Sequence, residues 1–150
     1  IGWCDWSSDV CSSDLVAFYD DSKGTNVSAV ARALEAFEAP VILLLGGRDK
    51  NGDFETLEPL IRRRVKALVL FGEARGRIAG KIGNLVRTQA APTLRDAVRT
   101  AYAEAAPGDV VLLSPGCASF DEFRSYAHRG EVFQEIVNRL DDRETASGGS

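Results

Sequence analysis

The stretch Val110 to Ser119, VVLLSPGCAS, is a run of apolar residues that stops abruptly in small and polar ones. Two other runs stop in the same way. Val41 to Leu45, VILLL, ends in Gly46-Gly47-Arg48-Asp49-Lys50, and the shorter Val16 to Tyr19 ends in Asp20-Asp21-Ser22-Lys23-Gly24-Thr25-Asn26. Continuous apolar runs bounded by Gly and Pro are expected of strands covered on both faces. If the three runs are parallel strands, their polar ends share one edge of one sheet. Ligands in open α/β sheets bind outside the carboxyl ends of the strands, so that edge is the candidate site.

The segments between the runs read as helices. Val27, Val30, Ala31, Leu34 and Phe37 form a helical stripe that Thr25 or Asn26 can cap. Leu57, Leu60, Ile61 and Val65 predict the next helix, and Ala67 to Phe71 the next strand. Glu73 to Val86 is expected to be helical but weakened by Gly76, Gly80 and Gly83, each costing about 1 kcal/mol relative to Ala. Thr93 and Asp96 resemble a capping box that opens a helix to about Ala105, before the strand Asp109 to Leu113. Two helical segments, Asp121 to Ala127 and Glu131 to Leu140, follow, and the polar tail Asp141 to Ser150 is expected to be disordered. Alternation of this kind implies right-handed crossovers and a doubly wound, mainly parallel α/β sheet with helices on both faces.

Composition narrows the partners. The chain has 150 residues, 45% of them hydrophobic and 27% charged, enough for one domain with a real core. A net charge of -4 argues against a nucleic-acid partner, because phosphate binding favours a basic face. No apolar run reaches the roughly eighteen residues of a membrane span. The cysteines, Cys4, Cys11 and Cys117, are odd in number and lack metal-ligand spacing. No metal site is predicted, and a reducing, cytoplasmic setting is.

Ile1 to Leu15 reads differently from the rest. It holds both tryptophans and two of the three cysteines, shows neither helical nor strand periodicity, and is no signal peptide. Cys4 to Leu15, CDWSSDVCSSDL, resembles the in-frame translation of a widely used short-read sequencing adapter. The expectation is a disordered assembly artefact, with natural sequence beginning at Val16.

Taken singly, the polar strand ends are ambiguous. Asp20 to Asn26 is either a capped solvated turn or an anion site built from helix-start amides and Lys23. Gly46 to Asp53 combines glycines that allow close backbone approach with Lys50, a partner for carboxylate or phosphate. Neither it nor Gly76 to Ile82 is a nucleotide P-loop. In the latter, Ile82 stands where Ser or Thr would bind magnesium, and Lys81 reads as a solvated helix charge. Ser114 and Cys117 lack a convincing base, since the single histidine, His128, fits no hydrolase pattern. His128 reads as an ordinary helix-end residue and Cys117 as a small buried filler.

Together, DDSKGTN, LLLGGRDKNGDF and VLLSPGCASFDEFRSYAHRGEVF, in this order, closely resemble the carboxyl-terminal domain of the Mur ligase family, in its D-glutamate-adding branch. The resemblance covers about Val16 to Leu140. The third motif, SP-x-CAS followed by F-x-x-(aromatic)-x-x-RG, is the most specific; Gly24 and Gly116 stand where alanine is often expected. The resemblance implies a Rossmann-like third domain that brings the amino acid. Preceding domains would bind the UDP moiety and, through a P-loop, ATP and Mg2+, so the fragment alone is expected to be inactive and to hold no catalytic residue. The implied reaction activates the L-alanine carboxylate of UDP-N-acetylmuramoyl-L-alanine as an acyl phosphate, which the amine of D-glutamate attacks.

The matching positions imply that Lys50 pairs with a D-glutamate carboxylate while Thr25 and Ser119 donate hydrogen bonds. Backbone near Phe120 and Tyr126 would close the pocket. Asp21 would meet the ribose of ATP, and Lys23 phosphate or the UDP-linked substrate. A sister Mur or folyl-polyglutamate-type ligase domain and a free-standing small-anion module remain as alternatives.

Overall fold

The apolar runs do form neighbouring parallel strands. A computed structural model describes residues 3–5, 10–13, 16–48, 52–117 and 123–147, with side chains described from 16 to 140. The strands are β1 (Trp3–Asp5), β2 (Val10–Ser13), β3 (Val16–Asp20), β4 (Val41–Gly46), β5 (Val65–Phe71), β6 (Arg87–Ala91) and β7 (Val110–Leu113). The helices are α1 (Val27–Glu35), α2 (Glu58–Arg64), α3 (Arg75–Ile82), α4 (Leu94–Glu104) and α5 (Tyr126–Ser147), with a 3-10 turn at Phe54–Leu57. The strand order is β1-β2-β3-β7-β4-β5-β6. From β3 to β6 every neighbouring pair is parallel, whereas β1 and β2 pair antiparallel at the β3 edge.

Side-chain alternation divides the core between the two faces of this sheet. Val41, Leu43 and Leu45 of β4, with Val110 and Leu112 of β7, pack with Val30 and Leu34 of α1, Ile61 of α2 and Ile78 of α3. Ile42, Leu44, Val111 and Leu113 point the other way, to Leu94, Ala97 and Val98 of α4 and to Phe133 and Val137 of α5. Both faces are covered, which is why VILLL carries no polar residue: all of β4 is buried. The doubly wound expectation holds. One irregularity interrupts the ladder where Val41 pairs with Val65 but Ile42 with Ala67, leaving Lys66 as an extra residue in β5. Lys66 Nζ lies 2.6 Å from Oδ2 of Asp109, the buried residue that precedes β7.

The helix starts follow local chemistry. Asn26, not Thr25, caps α1, its side chain accepting from Ala29 N–H at 2.9 Å. Thr93 caps α4 as the capping box predicts. Val65 belongs to β5 rather than to the preceding helix, and α3 stops at Ile82, before Gly83.

Four expectations need correction. Two parts of the leader expected to be disordered are strands, because edge pairing uses backbone groups and is indifferent to side-chain periodicity. The two final helical segments are one helix from Tyr126 to Ser147, so Gly130 does not break it, and it extends into the tail expected to be disordered. Arg143, Glu144 and Ala146 favour helix, and the first breaker after Gly130 is Gly148. Strand β6 has no counterpart in the expected order. Its RTQAA is a partly exposed edge with only Ala91 buried, so it lacks an apolar run.

Candidate functional site at the strand ends

β3 and β7 are adjacent, yet α1 follows β3 on one face and α5 follows β7 on the other. The connections part here, which makes the carboxyl ends of β3 and β7 the topological switch point of the sheet. Backbone hydrogen bonds join the strand ends across it. Asp21 N–H donates to Leu113 O at 2.8 Å, Gly116 N–H to Gly24 O at 2.8 Å, and Gly46 N–H to Pro115 O at 3.1 Å. Gly46 must be glycine because a β-carbon there would stand 2.0 Å from Phe71 O. Gly116 turns the chain at φ 69°, a left-handed conformation that disfavours any other residue.

Buried polar side chains complete the joint. Ser114, fully buried, donates from Oγ to Oδ2 of Asp21 at 3.0 Å. Asp20 accepts from Ser22 N–H at 3.0 Å and from Gln134 Nε2 of α5 at 2.7 Å. Arg129, on the first turns of α5, is 0% exposed. Its Nη1 donates to Cys117 O at 3.0 Å and its Nη2 to Ser22 O at 2.8 Å. Burying a guanidinium is costly, and here both terminal nitrogens of one planar fork are bonded, to carbonyls of two different loops. Gly130 allows this approach, since a β-carbon on it would lie 2.4 Å from Ser22 Oγ and 2.9 Å from Asp20 Oδ2.

The anticipated site residues divide accordingly. Asp21 and Lys23 come together on a cavity of about 590 Å³ that runs from the end of β3 along α1, lined also by Tyr19, Asn26, Arg32 and Phe37. Thr25 is exposed just ahead of α1, and Tyr126, 52% exposed, is the first residue of α5; neither lines that cavity. Lys50, Ser119 and Phe120 lie outside the described residues. Cys117 is buried in the core, as its reading as a filler predicts. His128 sits in the first turn of α5, its Nδ1 accepting from Arg124 N–H at 3.2 Å and its ring edge-on to Phe123. Lys81 corrects another expectation. It is half-buried, donating from Nζ to Gly52 O at 2.9 Å, and is not a freely solvated charge.

Arg129, Ser114, Asp20 and Gln134 were not singled out from the sequence as site residues. The available signal was the Arg-Gly pair closing the third motif, where a glycine inside a helix marks a close approach. Among the described residues, no group of three or more His, Cys, Asp or Glu side chains could hold a metal ion, and no helix is long and apolar enough to cross a membrane.

Fold and site thus define a doubly wound α/β domain whose strand ends are joined by buried polar side chains at the switch point, beside a cavity along α1. The chain belongs to the Mur ligase family: residues 9–117 match the family model described as "Mur ligase, glutamate ligase domain". It is 63% identical over 122 residues to the UDP-N-acetylmuramoylalanine–D-glutamate ligase of Syntrophus aciditrophicus, covering 81% of this chain and 27% of that protein. The ligase of the same name from Geotalea uraniireducens is 48% identical over 127 residues, covering 85% of this chain and 28% of that protein. The chain therefore spans only a little over a quarter of the length of these relatives. In fold it resembles MurF ligase from Thermotoga maritima in complex with ADP, with TM-score 0.57 and 15% identity over 94% of this chain and 32% of that one. Escherichia coli FolC in complex with DHPP and ADP gives TM-score 0.59 and 16% identity, covering 86% and 30%.

Proposed function

We propose that this chain is the carboxyl-terminal, amino-acid-bringing domain of a cytoplasmic ATP-dependent ligase that joins D-glutamate to UDP-N-acetylmuramoyl-L-alanine in peptidoglycan synthesis. The observation that carries this reading is the 63% identity to a relative named as that ligase. It favours D-glutamate over the amino acid of a sister ligase. The solved neighbours bound to ADP support a nucleotide-using enzyme.

In this reading a dianionic amino acid needs a fixed cation and several donors. Lys50 supplies the cation, Thr25 and Ser119 donate, and the backbone near Phe120 and Tyr126 closes the pocket. Asp21 faces the ribose of ATP, a role suited to a carboxylate already oriented by Ser114. Lys23, exposed on the cavity wall, meets phosphate or the UDP-linked substrate. Mg2+ and most of the ATP contacts belong to the domain ahead of this one, and the chain alone does not turn over. Natural sequence begins at Val16, and residues 1–15 are adapter-derived.

The test joins residues 16–150 to the first two domains of a D-glutamate-adding Mur ligase and follows ADP release with D-glutamate, L-glutamate, L-lysine and diaminopimelate. Turnover with D-glutamate alone, lost in Lys50→Ala, is expected. Turnover with another amino acid moves the domain to a sister ligase. A folded chimera inactive with all four, beside a working parental enzyme, favours a small-anion module.

A further inference from the structure

The second glycine-rich loop leaves β4 and returns to the domain at Gly52, Asp53 and the 3-10 turn Phe54–Leu57. Its departure is tied to neighbouring strand ends, by Gly46 N–H to Pro115 O at 3.1 Å and by Ala74 N–H to Gly47 O at 2.9 Å. Its return is reached by a side chain from a different helix. Lys81, on the last turn of α3, donates from Nζ to Gly52 O at 2.9 Å, and the same ammonium stands 6.0 Å from the ring centroid of Phe54. Phe54 is fully buried, and its Cε1 lies 3.2 Å from where a β-carbon on Gly116 would stand. The return of the second loop is therefore packed directly under the turn of the third.

We infer that Lys81 is a positioning residue for amino-acid binding, holding the return of the second loop against the third-loop turn. This rests on the reading of the preceding subsection, in which those two loops grip the amino acid. A hydrogen bond from an ammonium to a carbonyl is stronger than one between neutral groups, and a second contribution comes from the cation over the aromatic ring. Lys81 touches neither substrate nor reacting atoms; it acts by fixing where two loops meet.

The experiment uses the full-length ligase carrying this domain and compares Lys81→Met, Lys81→Arg and Lys50→Ala with the parent. Methionine keeps an apolar stem over Phe54 while removing the charge and the donors. Lys81→Met is expected to raise KM for D-glutamate by about fivefold or more while kcat stays within about twofold. KM for ATP and the melting temperature should stay close to the parent's, and Lys81→Arg should recover most of the loss. An unchanged KM for D-glutamate in Lys81→Met, alongside a raised one in Lys50→Ala, overturns the inference and leaves the proposed function standing. So does a parallel decline of every kinetic constant with the melting temperature, which marks a purely structural role. If Lys50→Ala itself leaves D-glutamate kinetics untouched, the assignment of these loops to the amino acid fails, and the inference fails with it.

Discussion

Replacing Arg129 with alanine removes a side chain that reaches from α5 to both the first and the third loop. The hydrogen bonds lost include those at 3.0 Å to Cys117 O and 2.8 Å to Ser22 O, from a group with no solvent exposure. Hydrogen bonds involving a charged group contribute roughly 1.5–3 kcal/mol each. The loss of the buried stem offsets any relief from no longer burying the charge, so the net cost is about 3–6 kcal/mol. For a domain of this size each kcal/mol moves Tm by about 2–4 °C, which places the expected fall at roughly 6–24 °C. Lysine in place of Arg129 keeps the charge but offers no planar fork, so Arg129→Lys should recover half of the loss or less. Thermal unfolding measures the total, and hydrogen exchange at the Asp21 and Gly116 amides, which bond across the loops, measures the coupling. An Arg129→Ala protein melting within about 2 °C of the parent would refute the energetic argument. One that is destabilised while those two amides keep their parental protection would refute the claim that Arg129 couples the loops.

Three further predictions concern two helix glycines and the leader. Gly130→Ala places a β-carbon against Ser22 Oγ and Asp20 Oδ2 and is expected to destabilise by about 1–3 kcal/mol. Gly76→Ala in α3, where a β-carbon would meet nothing within 4 Å, should stabilise by roughly 0.5–1 kcal/mol; the two melting curves must move in opposite directions. Amplifying the locus from genomic DNA of the source organism should give the codon of Val16 without the codons of Cys4 to Leu15 before it. Recovery of those codons would sink the adapter reading.

What could be read from the sequence was what burial imposes on it. Val41 to Leu45 and Val110 to Leu113 sit in the middle of the sheet under helices on both sides, so they had to be apolar throughout. Strand β6 and the strands of the leader lie at the margins, where pairing rests on backbone groups and leaves no apolar signature. The site was legible to the extent that its motifs end strands. Asp21 and Lys23 do share a cavity wall, because both directly follow β3. Arg129 leaves no such signal because its role depends on α5 returning over the β3 end, a contact separated by 107 positions in the chain. Lys81 is hidden for a related reason: on its own helix it looks like a surface charge, and only the packing of α3 beside the 3-10 turn brings Gly52 O within reach.

The antiparallel pairing on β3 has a consequence of its own. Val10 to Ser13 is held in register with Val16 to Tyr19, although VCSS offers no alternating apolar face. A strand margin presents a ladder of N–H and C=O groups at fixed spacing, and any extended segment without proline can meet it. Such a margin works as a socket that accepts a plug by shape of the main chain and is blind to its side chains. Domain grafts made at Val16 should therefore be judged by whether the joined sequence can lie extended for about four residues, a length set by the pairing seen here. Sequence similarity at the junction matters far less.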